Sequence, residues 1–148
     1  MALFNAFNIN ASGMTAERFR TDIISQNIAN VDTTRTEDGE AYRRKTVTFA
    51  ERTKTPFAHV LDRVVSAHTQ GTGVKVTSVY EDHENDMKMV YDPSHPDADE
   101  NGYVTYPNVN MVTEMTNMID ATRAYEANVT AFEASKAMAV KGLEIAEG

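Results

Sequence analysis

The stretch of sequence that decides the fold is residues 109–146, which read VNMVTEMTNMIDATRAYEANVTAFEASKAMAVKGLEIA. It contains no proline, and its one glycine, Gly142, lies near its end. Apolar or small side chains recur at alternating spacings of three and four residues, which is the heptad pattern of a long amphipathic helix. Such a helix would be about 55 Å long, whereas a compact globule of this chain length is about 38 Å across. We therefore expect an elongated molecule, or a helix that extends from a compact body.

The apolar stripe of this helix is expected to pack against helices of other subunits as well as within the chain. Its methionines and small residues suit close and adaptable packing between helices. An ordinary helical bundle is the alternative, but the chain predicts too few other helices to cover so long a stripe. The residues expected to make these contacts are Met115, Met118, Ile119, Tyr125, Val129 and Phe132.

A second helical pattern covers residues 9–31, with Ser12 and Gly13 interrupting its first turns. Asn27 lies on the apolar face, where a buried amide is expected to specify helix register. Asn30 is expected to cap the end of the helix, because asparagine tolerates the left-handed conformation found there. The packing candidates on this helix are Ile23, Asn27, Asn30 and Val31.

The middle of the chain predicts a small antiparallel sheet. Alternating apolar and polar residues indicate its strands, which we place at residues 42–49, 74–80, 87–91 and 103–106. A short helix that contains the apolar residues of 57–65 is expected, with Thr55 as its N-cap and Pro56 at its first position. The basic cluster Arg43, Arg44 and Lys45 is expected to be the solvated part of an edge strand.

Composition excludes several classes of function. A net charge of −8 and an isoelectric point near 4.9 argue against binding to nucleic acid or to anionic membranes. The chain has no cysteine, so disulfides and thiol catalysis are excluded. No apolar run reaches the length of a membrane span. The first residues lack the basic and apolar regions of a secretory signal, so we expect export, if any, to use an uncleaved N-terminus.

One motif suggests a metal site. Asp97, Asp99, Asn101 and Gly102 match the first half of a calcium-binding EF-hand loop, but position twelve is Asn108 instead of glutamate. A polar turn explains these residues better, and a calcium-dependent binding module remains the alternative function. The histidines lack metal-ligand spacing, and no nucleophile and base form a recognisable motif. We therefore expect no metal, no cofactor and no enzymatic activity.

Three separated motifs resemble those of a known family. Residues 25–36 (SQNIANVDTTRT), 91–104 (YDPSHPDADENGYV) and 114–128 are similar to the axial proteins of the bacterial flagellum, and to its proximal rod proteins in particular. The resemblance covers essentially the whole chain in order. Two departures are Asp32, where family members often have asparagine, and the segment 52–69, which is longer than the family pattern.

The resemblance implies a structural subunit of the flagellar rod, the drive shaft that transmits torque to the hook. It implies an α+β fold in which residues 1–35 and 107–148 form a coiled-coil-like helical domain and residues 36–106 form a small β-rich outer domain. The expected partners are other rod proteins, further copies of this chain and the flagellar type III export apparatus, and the expected location is the basal body, in the periplasm. The hinge between the two domains is expected at Tyr103, Pro107 and Asn108.

Overall fold

The computed structural model describes residues 2–52 and 71–147 of the chain. Two long helices flank a β-containing middle, which confirms the expected α+β class. The predicted helix at residues 57–65, and nearly all of the long segment 52–69, lie outside the described residues. The elements in chain order are α1 (Ala2–Ala29), β1 (Lys45–Glu51), β2 (Val74–Glu81), β3 (Lys88–Tyr91), β4 (Tyr103–Tyr106) and α2 (Met111–Glu147).

Helix α2 has 37 residues and confirms the long C-terminal helix. Asn110 caps its beginning, because the side-chain oxygen of Asn110 accepts hydrogen bonds from the backbone N–H groups of Val112 and Thr113, at 3.0 and 3.2 Å. The absence of proline from this stretch leaves the backbone free to continue the helix over its whole length.

Helix α1 is longer than the pattern indicated and runs without a break through Ser12 and Gly13. The Ser12 hydroxyl donates to the carbonyl of Ile9 (2.7 Å), so this polar side chain is satisfied inside the helix. Gly13 admits a close neighbour, because a Cβ atom there would lie 2.6 Å from the Asn128 side-chain oxygen. The expected interruption was therefore wrong, since the glycine serves packing between helices.

The end of α1 also differs from the expectation. Among the described residues only glycines have positive φ, so Asn30 does not use the left-handed conformation. Instead, the Asn30 side-chain amide donates to the carbonyl of Gln26 (2.9 Å), one of the carbonyls near the end of the helix. Asn30 thus caps α1 through its side chain.

The described strands form two two-stranded sheets, β1–β2 and β3–β4, instead of the single sheet that we expected. In the second sheet Lys88 pairs with Tyr106 and Tyr91 with Tyr103, in antiparallel register. Strand β1 begins three residues later than predicted, because the N–H of Tyr42 donates to the carbonyl of Thr33 in the preceding loop (3.1 Å). A residue whose backbone is bonded to a loop in this way does not extend the ladder of β1.

Chain contacts divide the protein into two compact units. The first contains the described residues of 1–18, 49–77 and 122–148, and the ring centroids of Phe7 and Phe132 lie 5.0 Å apart in it. The second contains Phe19–Thr48 and Ser78–Ala121. Its interior combines apolar side chains with buried polar ones, and the fully or nearly fully buried residues are Ile24, Asn27, Ala41, Tyr42, Asp82, Val104, Pro107, Glu114 and Ala121.

Neither described helix is long and apolar enough to cross a membrane.

Candidate functional site

The interior of the second unit contains a cluster of polar side chains, which we call the polar cluster: Asn27, Tyr42, Arg44 and Glu114. Asn27 and Glu114 are almost completely buried, with 0% and 1% of their surface exposed. Burial of a carboxylate is costly unless the charge is paired and its oxygens accept hydrogen bonds. The arrangement of the cluster meets both conditions.

Asn27 uses the full hydrogen-bonding capacity of its side chain. Its amide nitrogen donates to the carbonyl of Lys45 (2.8 Å) and to Oε2 of Glu114 (2.9 Å). Its oxygen accepts from the Tyr42 hydroxyl and from the N–H of Lys45, both at 2.9 Å. This one side chain from α1 therefore positions the first residue of β1 and the carboxylate of α2.

Arg44 neutralises the buried carboxylate of Glu114. Its Nε and Nη2 atoms lie 2.9 and 2.8 Å from Oε1 of Glu114, and the Asn117 amide donates to the same oxygen at 3.3 Å. The Arg44 side chain is only 24% exposed. For Arg44 the prediction of a solvated basic cluster was wrong, because its guanidinium points into the interior and pairs with a residue 70 positions away.

The environment of Tyr42 disfavours loss of its proton. Burial raises the pKa of the Tyr42 hydroxyl to about 12, and the nearby carboxylates of Glu81 and Glu114 add to this effect. The neutral hydroxyl is the form that can donate to Asn27. The Tyr42 side chain is therefore held in its protonated form over the physiological pH range.

We expect the stability of the protein to fall as the pH rises from about 10 to about 12, because Tyr42 must lose a proton more readily in the unfolded chain. A pKa raised in the folded state contributes stability that is complete below pH 10 and is lost as pH approaches the folded pKa. The loss that Tyr42 accounts for is roughly 2 kcal/mol. Urea unfolding of wild type and Tyr42→Phe between pH 8 and 11.5 measures it. A decline of equal steepness in both proteins would contradict the assignment.

The loop before α2 is connected to the same cluster by Asn108. The side-chain oxygen of Asn108 accepts from the N–H of Arg44 (2.9 Å), and its amide donates to the carbonyls of Asp82 (3.0 Å) and Asn85 (3.2 Å). Pro107 beside it is buried. Tyr103 lies in β4 instead of the connecting loop, is 42% exposed, and packs edge-on against Tyr91 at 5.2 Å. The hinge at these residues stays a prediction.

Asp82 stabilises the turn of residues 82–85, whose carbonyl groups bind Asn108. Its carboxylate accepts hydrogen bonds from the side chain of Asn85 (2.7 Å) and from the N–H groups of Glu84 and Asn85. These bonds favour the charged form and hold the pKa of Asp82 below its usual value. Asp82 is thus a turn-forming residue whose side chain is satisfied within the turn.

The acidic turn at residues 97–102 uses its oxygens for protein contacts. The Asp99 carboxylate accepts from the N–H groups of Asn101 and Tyr103, at 2.9 and 2.8 Å. Asp97 accepts from the Thr34 hydroxyl at 2.8 Å and lies 3.7 Å from the Arg35 guanidinium. In the described ranges, histidine and acidic side chains form no group of three that could hold a metal ion. The geometry is that of a capped polar turn.

The part of α2 in the second unit presents an exposed apolar ridge, which we call the α2 ridge: Val112, Met115 and Ile119. These side chains are 73%, 55% and 53% exposed and follow spacings of three and four residues. Two of them, Met115 and Ile119, were predicted packing residues. Val112 was not among the predicted packing residues, and the burial of Glu114 shows which side of α2 faces inward.

The other predicted packing residues occupy varied positions. Tyr125 is 39% exposed. Asn27 is buried within the second unit, and Phe132 contacts Phe7 in the first. The half-buried members of the set are Ile23, Asn30, Val31, Met118, Val129 and Phe132. Their role in packing between subunits stays a prediction.

Comparison with known families gives two matches, one near each end of the chain. Residues 7–35 match the family described as flagella basal body rod protein. Residues 100–145 match the family described as flagellar basal body rod FlgEFG protein C-terminal. Together these matches contain most of both helices and the N-terminal member of the polar cluster, Asn27. They define the class as flagellar basal-body rod proteins.

Full-length relatives narrow this class. The flagellar basal-body rod protein FlgC of Borreliella burgdorferi is 45% identical, with all of both chains covered. FlgC of Bacillus subtilis is 45% identical over 98% of this chain and 99% of its own. FlgC of Salmonella typhimurium is 39% identical over 99% of this chain and 100% of its own. The chain belongs to the FlgC family of flagellar basal-body rod proteins.

Proposed function

We propose that this chain is a structural subunit of the flagellar rod and that the α2 ridge packs against neighbouring rod subunits. The observation that carries the proposal is the exposure of Val112, Met115 and Ile119 on one side of a long helix. Contiguous exposed apolar side chains mark surfaces that bind other proteins. Family membership supplies the kind of partner, which is another component of the rod.

The polar cluster supports this role by holding the ridge in a defined orientation. Glu114 lies between Val112 and Met115 in sequence, and its carboxylate points inward to Arg44 and Asn27. Successive residues of a helix point about 100° apart, so an inward Glu114 directs Met115 outward. Anchoring of α2 at Glu114 therefore presents the ridge to a partner with little conformational freedom to lose.

In the assembled rod, we propose that the terminal helices associate as a coiled coil, with residues 1–35 and 107–148 in a helical domain and residues 36–106 in an outer domain. A contact repeated without closure builds a helical assembly, and close packing across many helices transmits strain. These properties suit the proximal part of a shaft that carries torque to the hook. Assembly in the periplasm after export by the flagellar type III apparatus, without cleavage of the N-terminus, completes the proposal.

Ile119→Glu is expected to block incorporation into the rod while leaving the fold of the free protein intact. Burial of an isoleucine side chain at a contact contributes about 1.5–3 kcal/mol, so its replacement by a charge weakens binding at least roughly tenfold. Swimming in soft agar of a strain that carries only the variant, together with the variant's content in purified basal bodies, measures the effect.

The matched control is Thr113→Glu, which introduces the same charge at an exposed position of the same helix. Thr113 is two residues from Met115 and therefore faces away from the ridge. We expect this control to swim and to incorporate normally. Normal incorporation of Ile119→Glu, or equal failure of both variants, would overturn the proposed role of the ridge.

A further inference from the structure

The outer edge of strand β3 carries backbone groups that β4 does not use. The N–H of Asp92 donates to the carbonyl of Gly102 (2.9 Å), so this pair of the antiparallel ladder is hydrogen-bonded. Hydrogen-bonded and non-hydrogen-bonded pairs alternate along such a ladder. Met89 and Tyr91 are therefore at non-hydrogen-bonded positions, and their N–H and C=O groups point away from β4.

In the part of the chain that the structure describes, this edge of β3 is open, whereas the edge of β4 is covered by the turn before it. The side chains of Met89 and Tyr91 are 60% and 64% exposed, and among the described residues nothing pairs with their outward backbone groups. On β4, by contrast, Tyr103 donates its N–H to the side chain of Asp99 and accepts from the N–H of Asp99 with its carbonyl. An uncovered strand edge is a template for pairing with another strand.

The charges at the ends of β3 are complementary to those of a second β3. Lys88 and Asp92 lie two residues before and two residues after Val90. If two copies pair antiparallel about Val90, each Lys88 faces the Asp92 of the other copy. Hydrogen bonds from the hydroxyl and N–H of Ser94 hold the pKa of Asp92 below its usual value, so its carboxylate is charged at neutral pH.

We propose that the open edge of β3 pairs with the β3 edge of a second copy of this chain, antiparallel about a two-fold axis at Val90. In this register Met89 of one copy faces Tyr91 of the other, and these are the residues whose backbone groups point outward. Both ends of the pair carry a Lys88–Asp92 ion pair. The backbone geometry permits this register, and the charges favour it over its neighbours.

Such a contact is isologous and closes on itself, so it joins two free subunits and is not the repeating contact of the rod. It does not depend on the proposed role of the α2 ridge. A pair of four-residue strands buries little surface, so the dimer belongs to the weak and transient class. A covalent trap is therefore the appropriate test.

The absence of cysteine from the chain makes single-cysteine trapping unambiguous. In Val90→Cys the two thiols would meet at a non-hydrogen-bonded pair, where the Cα atoms are about 4.5 Å apart and a disulfide can form. The control is Val79→Cys, since Val79 is also a strand valine and is 41% exposed, compared with 36% for Val90. Under mild oxidation of the full-length protein, we expect Val90→Cys to dimerise at least about fivefold faster than the control. Equal rates would overturn the proposal.

Charge substitutions test the register. In the Val90→Cys background, Lys88→Glu alone and Asp92→Lys alone each place like charges opposite one another in a homodimer. We expect each to slow trapping about fivefold. A mixture of the two variants restores opposite charges at both ends, so we expect fast formation of the mixed dimer, identified by its mass. Misfolding of either variant cannot produce this rescue, and a mixture as slow as its components would refute the register.

Discussion

Glu114→Ala is expected to destabilise the protein by about 3–5 kcal/mol, the cost of leaving a buried charge without its partner. Arg44 would lose the only carboxylate that the described residues place within ion-pair distance of it, and the Asn27 amide would lose an acceptor. The Asn27 amide would remain completely buried, and the Arg44 side chain, which is 24% exposed, would remain largely buried. Chemical denaturation followed by circular dichroism measures the change in the free energy of unfolding.

Two further variants distinguish the effect of leaving a charge unpaired from the effect of shortening a side chain. Glu126→Ala, an exposed position on the same helix, is expected to change stability by no more than about 0.5 kcal/mol. The double substitution Arg44→Met with Glu114→Leu removes both charges together and is expected to recover much of the loss, because an apolar pair of similar volume leaves no unpaired charge. A change below about 1 kcal/mol for Glu114→Ala would show that water reaches the site.

Asn27→Ala is expected to destabilise the protein by about 3–4 kcal/mol, since four hydrogen bonds are lost at about 1 kcal/mol each. Two of these bonds are to the backbone of Lys45 at the start of β1, so amide hydrogen exchange of β1 should accelerate more than that of β4. Thermal unfolding and hydrogen exchange on the full-length protein measure the two effects.

Asn30→Ala is the matched control for Asn27→Ala. Asn30 directly follows α1, and its side chain makes two hydrogen bonds, donating to the carbonyl of Gln26 and accepting from the hydroxyl of Thr33, so its removal should cost about 1–2 kcal/mol. Equal effects of the two substitutions would refute a special role for Asn27. Because Asn27 and Glu114 share a hydrogen bond, the loss in the double variant is expected to be smaller than the sum of the single losses.

Features that depend on nearby residues were predictable from the sequence. The long helix α2, the helical character of α1, strand β2 and strand β4 follow from periodic patterns within single segments. The polar turn at residues 97–102 was also recognisable, because aspartate and glycine at those positions have local reasons to form a turn. The family resemblance came from the same kind of information, since its motifs are short continuous segments.

Features that depend on distant residues were not predictable in the same way. The basic triplet 43–45 resembled a solvated edge, yet the Arg44 side chain is largely buried because α2 brings Glu114 to it. Ser12 and Gly13 resembled a helix break, yet α1 continues through them, and the glycine is suited to its position because Asn128 occupies the space that a side chain there would need. The four strands were expected to form one sheet, but their pairing, which depends on contacts between distant segments, gives two separate sheets.

The sequence by itself determined that this chain has two long helices around a β-containing middle, and that it resembles flagellar rod proteins. Helix and strand periodicity arise from backbone geometry, which each segment expresses without reference to the others. The burial of Asn27 was expected from its place in the helical pattern, but only the tertiary structure decided that Arg44 and Glu114 pair in the interior and that Val112 lies outside. The reason is that burial of a charge is favourable only beside its partner, and Arg44 and Glu114 are 70 residues apart in the chain.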